Sequence, residues 1–175
     1  MDFTVEVCEN FFDFSRDLNR SNGIINAIYK TMLREKKNHP EVFESIERRL
    51  CRASNACLKA EEFVQLAKTA FRNLVVPFQS HEKSVYVALS FYMSECIFDQ
   101  ARLCISGVAL EEIKAVIIDL MAKKLKEEFG FDTPAKWYKF AAEIQQNGRA
   151  QNNEENFDFT AFFFGIGLSY LLKKI

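Results

Sequence analysis

Only three prolines and six glycines punctuate this chain of 175 residues. So few breakers imply long, uninterrupted elements, and most of them fall where a helix should start or stop. No stretch alternates apolar and polar residues beside a turn signal, which excludes a hairpin-built sheet. The one β-rich fragment, Leu74-Val75-Val76-Pro77, is short and is ended by proline.

Histidine is nearly absent too. His39 and His81 are the two present, which excludes a histidine-rich metal centre. His39 precedes a proline in a polar turn, and His81 stands among first-turn residues. Neither has the fixed local partner that nucleophilic catalysis requires. The five cysteines are odd in number and show no CxxC spacing. Reduced, mostly buried thiols in an intracellular, cytoplasmic protein are expected.

A charge excess is also missing. The 23 basic and 24 acidic residues leave a net charge of −1, where a nucleic-acid binder usually carries a basic surplus or stripe. The densest basic set is Lys30, Arg34, Lys36, Lys37, Arg48, Arg49 and Arg52. It is interleaved with Glu35, Glu41, Glu44 and Glu47 and reads as a solvated helical face. No nucleic-acid partner is expected. No run of 18 uncharged apolar residues occurs, so no membrane span is predicted. The opening MDFTVEVCENFFDF is acidic and lacks the basic-then-apolar layout of a signal peptide.

Apolar residues are plentiful, at 49%, and 18 of them are Phe. A chain this long can bury a sizeable single core. A Phe-rich helical core accounts for the excess most simply, with a Phe-lined groove as the sharper alternative.

Helical spacing recurs along the chain. Asp2 or Thr4 caps a first helix, in which Val7, Phe11 and Phe14 face inward. Ser21 or Asn22 caps a second, through Lys37. Pro40 opens a third, with Val42, Phe43, Ile46 and Leu50 inward. A fourth, with Leu58, Phe63, Leu66, Ala70 and Leu74 inward, runs to Pro77. The fifth extends from a Ser80 cap to about Ser106, closed by Gly107. The sixth runs from Ala109 to Phe129 and stops at Gly130. The seventh opens at Thr133-Pro134 and ends at Gly148. After a polar loop, residues 157–175 read FDFTAFFFGIGLSYLLKKI. That segment is apolar nearly all round, so several sides need covering. At about 24 Å as a helix it is shorter than a bilayer's apolar core of about 30 Å. The predicted fold is all-α: one domain, residues 1–175, a globular bundle of seven or eight helices around a central apolar helix. Segments 84–105 and 157–172 are its expected centre.

No catalytic constellation or cofactor motif stands out, and no cofactor is expected. Trp137 and Tyr138 form a candidate binding pair, although i, i+3 spacing turns Trp137 and Phe140 inward together and leaves Tyr138 outside. Phe162, Phe163 and Phe164 point about 100° apart, so at least one should reach another layer or another subunit. Glu95 and Asp99 share one helix face. With Glu112 and Asp119 they form a candidate Mg²⁺ or Mn²⁺ cluster of the kind a metal-dependent hydrolase uses. An i, i+3 pairing of Asp99 with Arg102 is the simpler expectation. The reading is a non-enzymatic regulator that binds another protein, a second copy of itself as homodimer included. A metal-dependent hydrolase or small-ligand binder built on the carboxylates is the alternative.

Overall fold

A computed structural model describes residues 2–14, 23–54, 58–74 and 83–147. Among them lie seven α-helices and no strand: α1 (Phe3–Phe14), α2 (Gly23–Asn38), α3 (Pro40–Ser54), α4 (Ala60–Asn73), α5 (Lys83–Cys104), α6 (Gly107–Glu127) and α7 (Pro134–Asn147). The expected eighth helix, and with it Phe162, Phe163 and Phe164, lies outside the described residues.

Local chemistry explains where the helices begin and end. Asp2 caps α1: its carboxylate accepts the N–H groups of Thr4 at 2.9 Å and Val5 at 3.4 Å, which would otherwise lack partners. Thr4 is thereby freed for another role and is buried. Glu62 reaches back to the Lys59 N–H at 3.3 Å at the start of α4, one half of a capping box. Between α5 and α6 the structure corrects the sequence reading. Gly107 does not close the fifth helix; it is the first residue of α6, with φ at 67°. The chain turns through Ile105 and an extended Ser106, and a left-handed residue at the corner completes the reversal at little steric cost. Gly130, φ 77°, ends α6 as its spacing indicates. There the Phe131 N–H donates to the Leu125 carbonyl at 3.0 Å.

The centre belongs to α5. Every residue from Val85 to Phe91 is buried. Successive residues point about 100° apart, so every side of this stretch is covered. Helices α2, α3, α4 and α6 pack along α5, and rings from α1 and α7 reach its Phe91. The second hub, α2, packs on α1, α3, α5 and α7. Helix α6 turns Ile113, Ile117, Ile118, Met121, Ala122 and Leu125 to the core.

The Phe excess has a structural use. Ring contacts run without a gap from Phe98 to Phe12 (5.2 Å between centroids), Phe11 (5.6 Å) and Phe91 (4.7 Å). From Phe91 they continue to Trp137 (6.4 Å), Phe131 (4.4 Å) and Phe140 (5.6 Å). These spacings lie in the favourable range for tilted and edge-on pairs. The line of rings crosses from α1 through α5 to α7, so one aromatic seam holds the two ends of the described chain together.

Candidate functional site

The proposed carboxylate cluster does not assemble. Asp99 pairs with Arg102, one turn on. Glu112 and Asp119 lie on the solvent side of α6, because Ile113, Ile117 and Ile118 occupy its core side. Glu95 is left half-buried, with Oε2 unpaired among the described residues. Burial, then the Asp99 charge, pushes its carboxyl above the usual range, against the pull of Arg102 and Lys36. Among the described residues no three His, Cys, Asp or Glu side chains come together in a way that could hold a metal ion.

Of the thiols in described surroundings, Cys8 is buried and Cys96 and Cys104 half-buried, and none of the three is in a disulfide. Burial raises Cys8 far above the ordinary range and Cys96 to about 12. Neither is a thiolate at neutral pH, so neither is an activated nucleophile. Cys96 sits beside a polar junction that the sequence did not reveal. Tyr92 on α5 donates to Glu47 on α3 at 3.0 Å, and Lys36 on α2 lies 5.4 Å from its ring centroid. Phe43 closes on the same ring at 4.9 Å. Burial first, and the neighbouring Cys96 and Glu47 next, raise the Tyr92 phenol. The junction fastens three helices.

The Trp137–Tyr138 pair splits. Trp137 is wholly buried, with its Nε1 bonded to Thr4, so it offers nothing to a partner. Tyr138 is 61% exposed and touches Phe3 through their rings, 6.0 Å apart. Among the described residues the other large exposed apolar side chains are Leu33 at 69%, Leu103 at 77% and Val108 at 76%. Leu103 and Val108 stand on either side of the α5–α6 junction. Nearby in the chain, Cys104, Ile105 and Leu110 are half-buried and packed against the core.

A cavity of about 480 Å³ opens between α2, the start of α5, the α6–α7 turn and α7. Phe129, Phe131, Phe140 and Ile144 supply its apolar wall. Arg34, Lys83, Lys136 and Lys139 supply its charge, against a single carboxylate, Glu143. Arg34 bonds Glu35 through Nε at 3.0 Å, and Lys136 pairs with Asp132 at 2.5 Å. Lys136, through its hydrogen bond, holds the Asp132 carboxyl below its usual value.

No family model matches the chain, and neither the curated proteins nor the solved structures contain a match to it. Among the described residues no helix is long and apolar enough to cross a membrane.

Proposed function

We propose that this protein is a non-enzymatic helical regulator that acts by associating with protein, and that a second copy of the chain is its first partner. The observation that carries the reading is the α5–α6 corner, where Leu103 and Val108 are both about three-quarters exposed. Lone exposed apolar residues are ordinary on protein surfaces. Two of them flanking one tight junction would supply the apolar centre that an interface needs.

Light scattering over a concentration series tests it. The wild-type chain should approach twice the monomer mass as concentration rises. Leu103→Asp with Val108→Asp should remain at the monomer mass with an unchanged helical circular dichroism spectrum. A wild-type chain that stays monomeric throughout, or a dimer that survives both substitutions, would count against the proposal.

A further inference from the structure

The cavity between α2, α5, the α6–α7 turn and α7 has a composition at odds with the rest of the chain. The whole protein carries a net charge of −1. The lining of this one cavity holds four cations and one carboxylate, a surplus of three positive charges. The cations come from three separate elements: Arg34 from α2, Lys83 from α5, and Lys136 and Lys139 from α7. Folding alone gathers them. Gathering like charges is unfavourable unless something of opposite sign offsets it. Glu35 and Asp132 offset part of it, at Arg34 and Lys136. Lys83 and Lys139 have no ion-pair partner among the described residues.

The apolar part of the lining is of another kind. Phe131 and Phe140 meet edge to face at 5.6 Å and end the aromatic seam at the cavity. Gly130 also borders the space, and a side chain placed there would meet nothing within 4 Å. A volume of about 480 Å³ falls within the roughly 300–1,000 Å³ of pockets that enclose small organic ligands, which combine an apolar wall with a few polar groups.

We infer that this cavity is a binding site for a small amphipathic organic anion, with an apolar body against Phe131, Phe140 and Ile144 and a phosphate or carboxylate head between Lys83 and Lys139. Neither half of the lining suffices alone. The apolar wall selects no charge, and exposed lysines hold a bare anion weakly in water. The site is separate from the α5–α6 corner, so it stands or falls independently of self-association.

Isothermal titration of the full chain with three probes tests the inference: phenyl phosphate, inorganic phosphate and benzyl alcohol. Phenyl phosphate should bind saturably, one per chain, at least tenfold more tightly than either single-character probe. Sodium benzoate should bind as well if the head-group site accepts any compact anion, and fail if it requires phosphate; either outcome supports the site and identifies its head group. Lys83→Ala with Lys139→Ala should weaken phenyl phosphate at least tenfold while leaving the thermal midpoint unchanged, since both side chains are exposed. Lys123→Ala, an exposed cation outside the cavity, should leave the affinity as it was. Absence of saturable phenyl phosphate binding, or binding that survives the double substitution, would overturn the inference. So would inorganic phosphate binding as tightly as phenyl phosphate.

Discussion

The indole Nε1 of Trp137 donates to the hydroxyl oxygen of Thr4 at 3.0 Å, joining residues 133 apart in sequence. The same hydroxyl donates onward to the Phe131 carbonyl. One buried hydroxyl thus satisfies an indole N–H and a backbone carbonyl, and fastens α1 to α7 and to the turn before it. Buried polar groups of this kind are costly when left alone.

Thr4→Val keeps the shape and removes the hydroxyl. Two buried groups then lose their partner, each at about 1–3 kcal/mol. The variant should lose at least that much stability in urea denaturation. Thr4→Ser keeps the hydroxyl and gives up one methyl, a loss of about 0.8 kcal/mol. Equal losses in the two variants would show that the hydroxyl contributes nothing.

Asp2 both caps α1 and pairs with Lys126 of α6. The hydrogen bond from Lys126 is the main reason its carboxyl lies below the usual value. The unfolded value is about 3.9 and the folded one is lower. The stabilisation is therefore complete above about pH 4 and is lost as pH falls through the folded value. Asp2→Asn keeps an acceptor for the cap and removes the charge. Its stability deficit against wild type should be constant near neutral pH and shrink on acidification. A deficit that grows towards low pH would reverse the assignment.

Glu95 should behave in the opposite sense. Its folded value is raised, so ionisation opposes folding once pH exceeds the unfolded value of about 4.3. Glu95→Gln should therefore gain stability relative to wild type as pH rises from 4 to 7, with little difference at pH 4 and below. Added Mg²⁺ or Mn²⁺ should not alter the wild-type thermal midpoint. A midpoint that rises with either ion would restore the carboxylate-cluster reading.

Helices were legible in the sequence because caps and breakers act locally. Pro40, Pro134 and Gly130 mark boundaries through their own backbone chemistry, and i, i+3 spacing places Trp137 and Phe140 on one side with Tyr138 on the other. Gly107 was harder, since a left-handed residue can end one helix or begin the next, and only the path of the chain decides. Thr4 and Asp2 were equally plausible caps until the Trp137 indole claimed the Thr4 hydroxyl from more than a hundred residues away. The cavity was beyond reach for the same reason. Lys136 and Lys139 were visible as neighbours of Trp137, but Arg34 and Lys83 join them only through tertiary packing. The Tyr92–Glu47–Lys36 junction likewise spans three helices and leaves no local pattern.

Amide hydrogen exchange followed against protein concentration probes the α5–α6 corner itself. Amides of residues 105–110 should exchange more slowly as concentration rises, while those around the cavity, such as Phe140 and Ile144, keep their rates. In Leu103→Asp with Val108→Asp the concentration dependence should vanish. Exchange at residues 105–110 that is independent of concentration in the wild-type chain would contradict self-association through this corner.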